Sequence, residues 1–95
     1  MAKVTYAPIA NDDLAEIVSY IAQDNPNAAR NWLRRIRAAC NLLGTNPAMG
    51  ERREDFGVAG CRSFTVGGFV VFFRRLDDGV EIARIVHGSR DLRQL

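Results

Sequence analysis

The only histidine of the chain, His87, stands where an apolar alternating run stops, in "EIARIVHGSRDLRQL" (81–95), and Arg90, Asp91 and Arg93 follow closely. An unperturbed imidazole titrates near ~6.5 and can do acid–base work. Guanidiniums beside it would suit a phosphate. At the exit of a strand these residues could form a small nuclease site. They could equally be a structural hinge on a protein that performs no chemistry. Metal chemistry has less to work with. Cys40 and Cys61 show no CxxC spacing, and with a single histidine they cannot make an ordinary zinc site. Both read as buried free thiols, and no cofactor is expected.

Ninety-five residues make one domain, taken here as 1–95, near the lower end of sizes that build a core without disulfides or metal. At 47% hydrophobic and 25% charged the chain is an ordinary globular protein, which excludes disorder. Its longest apolar runs fall far short of the ~20 residues of a membrane helix, and the N-terminus carries no charged-then-apolar leader. A cytoplasmic protein with no membrane contact is expected. The net charge of +2 does not announce a nucleic-acid binder, and no direct, specific nucleic-acid binding is expected. The charge is, however, unevenly spread. Residues 1–29 set Lys3 against Asp12, Asp13, Glu16 and Asp24, whereas residues 30–37 carry Arg30, Arg34, Arg35 and Arg37 and no acid. An anionic partner would meet one face.

The elements that must hold these residues follow from periodicity. "KVTYA" (3–7) alternates as a short strand. In "NDDLAEIVSYIAQD", Leu14, Ile17, Val18 and Ile21 form an amphipathic stripe, with Asn11 or Asp13 as cap and acids suited to the helix start. "DNPN" ends that helix and opens another, with Asn25 as cap and Pro26 at the first position. The second helix, about 26–43, buries Ala29, Trp32, Leu33, Ile36, Cys40 and Leu43, shows Arg30, Arg34 and Arg37 elsewhere, and stops at Gly44. So short a link makes the helices an antiparallel hairpin. Residues 45–60 form a long loop, folded back on the core through Met49, Phe56 and Val58. Strands at 61–66, 69–76 and 80–86 follow, joined by Gly67-Gly68 and Asp77-Asp78-Gly79 turns. The order β-α-α-β-β-β gives an α+β fold, an antiparallel sheet with the helical hairpin on one face. Phe69, Val71 and Phe73 point one way from the middle strand, Val70 and Phe72 the other. The second apolar face calls for cover, and a bound partner is expected to provide it. Arg84 shares a side with Val80, Ile82 and Val86 by alternation, so it should pair with Glu16 or Asp13.

In that order "DLAEIVSYIAQDNPNAA", "NPAMGERR" and "CRSFTVGGFVVFFRRLDDGVEIARIVHGSRDL" resemble toxins of the ParE/RelE superfamily of bacterial type II toxin–antitoxin systems, specifically the ParE branch. The resemblance covers nearly the whole chain. It implies a sheet with a helical hairpin, and a small ParD-like antitoxin whose C-terminal segment wraps and silences the toxin. It also implies a target. ParE-like toxins poison DNA gyrase, whereas RelE-like toxins cut messenger RNA on the ribosome.

RNA cleavage needs a base for the 2′-hydroxyl, a donor for the leaving oxygen and cations on the phosphate. RelE-like sequences supply these from basic residues on the central strands and from a tail with a basic residue or histidine, often an Arg, and a Tyr. Arg62 matches one central position, but the next two hold Phe64 and Val70. Gly88 rather than Arg follows His87, and no Tyr occurs after Tyr20. A nuclease would have to use His87 with Arg62 and Arg90; the ParE reading assigns no catalytic residue and makes His87 a cap on the last strand. Arg30, Arg34 and Arg37 form either a solvated helix face or a contact surface for the acidic antitoxin or for gyrase. The tail is either a closing turn, with Leu92 and Leu95 packing on the sheet, or a gyrase contact through Arg90, Asp91, Arg93 and Leu95.

Overall fold

The elements run β1 (Lys3–Tyr6), α1 (Pro8–Asp24), α2 (Pro26–Thr45), β2 (Glu51–Arg52), β3 (Cys61–Val66), β4 (Phe69–Leu76) and β5 (Gly79–His87). The structure is a computed structural model and describes residues 3–53 and 60–88. Among these residues the strands form one sheet in the order β1-β5-β4-β3-β2. The meander β3-β4-β5 is antiparallel, as alternation and the two turns require. The α+β class holds, but the sheet is mixed, because β1 pairs with β5 in parallel. Parallel neighbours need a crossover, and the helical hairpin lies within that connection. Gly79 permits the pairing, since a methyl group there would overlap the backbone carbonyl of Lys3.

The helix ends depart from expectation in instructive ways. α1 begins at Pro8, with Ala7 as an N-cap that makes no side-chain bond. Pro fits the first turn because its missing N–H would be unpaired anyway. Asn11 and Asp13 therefore lie inside the helix, and its first turn carries no acid. The junction shrinks to one residue. Asn25 donates its N–H to Ile21 O at 3.0 Å, and its Oδ1 accepts from Ala28 N at 3.0 Å, so it closes α1 and caps α2. α2 runs through Gly44, which is buried and helical. Asn46 stops it instead, its N–H and Nδ2 both donating to Leu42 O.

The long loop contains structure. β2 pairs with β3, Arg53 N donates to Cys61 O at 2.8 Å, and Met49 packs against the core. Phe56 and Val58 lie outside the described residues.

The main core lies between the hairpin and one face of the sheet. Ala10 and Leu14 of α1 meet Ile36, Cys40 and Leu43 of α2 over Val71, Phe73, Val80, Ile82 and Ile85. A register shift sets that last pair. Phe72 faces Arg84 while Phe73 faces Ile82, so Ala83 is the extra residue of a bulge. Simple alternation would put Val86 with Ile82. The bulge puts Ile85 there and sends Val86 to the opposite face with Cys61, Val70 and Phe72. On that second face none of the four is more than 8% exposed in the single chain. Hiding this apolar surface therefore requires no bound partner, contrary to the sequence argument.

Candidate functional site

His87 ends β5 opposite Phe69 of β4. Its ring meets Phe69 edge-on, with centroids 5.2 Å apart at 90°, and Phe69 meets Trp32 of α2 at 5.0 Å and 63°. One residue later Gly88 N donates to Gly68 O at 2.8 Å, which fastens the end of β5 to the β3–β4 turn. The imidazole thus belongs to an aromatic chain that joins α2, β4 and β5. It also lines a cleft of about 620 Å3 with Phe69 and, from α1, Glu16, Ile17, Ser19, Tyr20 and Gln23. Tyr20 is 74% exposed there.

Arg62 sits elsewhere. It pairs with Arg52 across β2 and with Phe73 across β4, and its Nη1 donates to Ala48 O at 3.1 Å and Gly50 O at 3.4 Å. Gly50 holds that loop against β3 at φ 84°, where a methyl group would overlap the Ser63 carbonyl. From Phe69, opposite His87, to Phe73, opposite Arg62, is four residues of β4, roughly 13 Å along the strand. The sheet does not bring the two side chains together. Arg90, Asp91, Arg93 and Leu95 lie outside the described residues.

Arg84 takes the acid expected of it. Its Nε and Nη2 donate to Asp13 Oδ2 at 2.8 Å and Oδ1 at 3.1 Å, and Ile85 N donates to Oδ2 at 2.9 Å. The bonds to Asp13 push the Arg84 guanidinium up from its ordinary value, against the opposing effect of burial. β1 pairs β5 only as far as Ile82, and Asp13 takes up the backbone beyond. On α2, Arg30, Arg34 and Arg37 are all exposed. Arg30 donates to Asn27 Oδ1, and Arg34 to Asn31 Oδ1 at 3.3 Å, so two of the three lie along their own helix. Cys40 and Cys61 are buried free thiols. Burial pushes the Tyr6 phenol well up, helped by the adjacent Cys40. Burial likewise raises the Cys40 thiol, partly countered by its bond with Tyr6 and by Arg37. Among the described residues no His, Cys, Asp and Glu side chains gather as a metal site would, and no helix is long and apolar enough to cross a membrane.

Residues 4–92 match the family model of the ParE toxin of the type II toxin–antitoxin system, parDE. The chain belongs to the ParE toxin family. A solved structure of the chromosomal ParDE toxin–antitoxin system from P. aeruginosa is similar to this ParE toxin over 92% of this chain and 96% of that one, at 25% identity and a TM-score of 0.74. No curated protein matches.

Two surfaces of the toxin escaped the sequence reading. Tyr20 lies off the apolar stripe of α1, and an exposed aromatic at that position carries no periodic signal. Arg52 and Arg75 join Arg62 around one concavity. Only strand pairing brings such distant positions together.

Proposed function

We propose that this ParE toxin acts by binding and poisoning DNA gyrase in the cytoplasm, performs no catalysis itself, and is silenced by a ParD-like antitoxin. Family membership supports the gyrase target over the ribosome. The observation that weighs most against RNA cleavage is the separation of His87 from Arg62, which leaves the imidazole among aromatic rings and the guanidinium tied to a loop. A base without a phosphate clamp would supply only part of the ~10²–10⁴ factor that proton transfer offers. In this reading His87 is a structural end to β5, and residues 90–95 contribute to the gyrase contact.

The test adds antitoxin-free toxin to gyrase, relaxed plasmid and ATP, with topoisomers read on a gel. Supercoiling should be blocked or linear DNA should accumulate, and His87→Ala should inhibit within a few-fold of the parent. A toxin lacking residues 90–95 should keep its circular dichroism and lose inhibition. Unaffected supercoiling by folded toxin, together with His87-dependent cutting of ribosome-bound messenger, would replace this reading with the nuclease.

A further inference from the structure

The cleft of about 620 Å3 opens between α1 and the end of the sheet where β4 begins and β5 stops. α1 contributes Glu16, Ser19, Tyr20 and Gln23, which stand at i, i+3, i+4 and i+7 and so form one stripe of the helix. Ile17 of α1 and Phe69 of β4 add half-buried apolar surface, and the Phe69 ring is itself held by Trp32 at 5.0 Å. Tyr20 is 74% exposed, so its ring is open to a visitor. Glu16 follows Asp13 by three residues on the helix. Asp13 holds Arg84 of β5 with both carboxylate oxygens, whereas Glu16 makes no hydrogen bond or ion pair of its own among the described residues. α1 thus binds one guanidinium inside the molecule and presents a second carboxylate to the cleft.

We infer that this cleft receives an arginine side chain of gyrase, with the guanidinium on the Glu16 carboxylate and stacked against Tyr20. The inference rests on gyrase being the target, and it names a part of the toxin that holds it. A carboxylate is an acceptor-only group, and a donor-only guanidinium satisfies both of its oxygens at once. The face of an aromatic ring attracts the same cation, and a planar guanidinium stacks there where a compact ammonium does not. The methylene stem of an arginine suits Ile17 and Phe69, and Ser19 and Gln23 offer further acceptors. The volume lies in the range of sites that bury small ligands, enough for the side chain and parts of its neighbours in sequence. Gyrase is a fitting source, because a protein that holds DNA carries arginine and lysine on its surface for the phosphates. α1 complements such a surface in charge, since residues 1–29 set Lys3 against Asp12, Asp13, Glu16 and Asp24.

The experiment measures the affinity of antitoxin-free toxin variants for gyrase by calorimetry, with affinity for the cognate ParD-like antitoxin and circular dichroism alongside. Tyr20→Ala should weaken gyrase binding about 10-fold, whereas Tyr20→Phe, which keeps the ring, should stay within about three-fold. Glu16→Gln should cost about 10-fold and Glu16→Arg about 30-fold or more. Antitoxin affinity should not change in any of these. Asp12→Asn makes the same charge change as Glu16→Gln one turn earlier on α1, at an exposed residue outside the cleft, and should leave gyrase binding unchanged. A parent toxin that binds gyrase no better than Tyr20→Ala and Glu16→Arg do would overturn the cleft alone and leave the target standing. A parent toxin that does not bind gyrase would remove the target and this inference with it. Asp12→Asn as damaging as Glu16→Gln would reduce the effect to diffuse charge and overturn the site. Folded variants that lose the antitoxin rather than gyrase would reassign the cleft to the antitoxin, and self-association that depends on Tyr20 in sedimentation would reassign it to a second copy of the toxin.

Discussion

Asp13 holds two elements together with one carboxylate. It accepts from both nitrogens of the Arg84 fork and from Ile85 N, and its side chain is only 12% exposed. Removing one partner of a buried pair is far more damaging than its net worth suggests, because the other charge and the backbone N–H are left unpaired. Asp13→Ala should therefore cost about 3 kcal/mol. In a domain of this size that lowers Tm by roughly 12–24 °C in a thermal melt. An unchanged Tm would show that water replaces the carboxylate at no cost. Tyr6 gives a second prediction, in pH. Its folded pKa is raised by burial above the ordinary value of 10.0, and that of Cys40 is raised above 9.0. The folded state keeps these protons while the unfolded chain releases them, so the stabilisation is complete below about pH 9 and declines as pH rises past it. Denaturant midpoints between pH 8 and 11 should fall, and Tyr6→Phe should flatten the fall. An equal fall in that variant would assign the alkaline loss elsewhere.

At the scale of elements, α2 presents its arginines to solvent, and two of them bond to asparagines one turn back. We propose that charges arranged in this way form a solvated face. Arg34→Glu with Arg37→Glu should leave affinity for both ParD-like antitoxin and gyrase within a few-fold by calorimetry. A loss of 30-fold or more for either would make this face an interface. α2 was also legible in the sequence, because Asn25-Pro26 states its start and six apolar residues state its buried side. The three later strands were legible for a comparable reason, with alternation and glycine turns marking them. The start of α1 was not, since good capping residues occur inside it and Pro8 opens it without a side-chain bond. Nor was β2, a two-residue strand that exists only through its partner. The bulge at Ala83 carries no glycine to announce it, which is why Val86 was assigned to the wrong face. The candidate site divided similarly. His87 and Arg62 could be named from residue type, but their separation, and the grouping of Arg62 with Arg52 and Arg75, depend on strand register.

At the scale of the whole molecule, a net charge of +2 understates the local fields, because acids gather on α1 while arginines gather on α2 and at one end of the sheet. The pairing of β1 with β5 has a bearing on when the molecule comes into being. Thr5 Oγ1 donates to Val80 O across 75 positions of sequence, and half of the main core comes from β4 and β5. Contacts of such long range require loop closure before they stabilise anything, and they form late. A ribosome making this chain must deliver β5 before the first strand has a neighbour. Until then α1 and α2 have no sheet to pack on. The toxin fold thus closes only after β5 has been made, and a ParD antitoxin already present in the cell has the synthesis of everything from β1 to β5 as its head start.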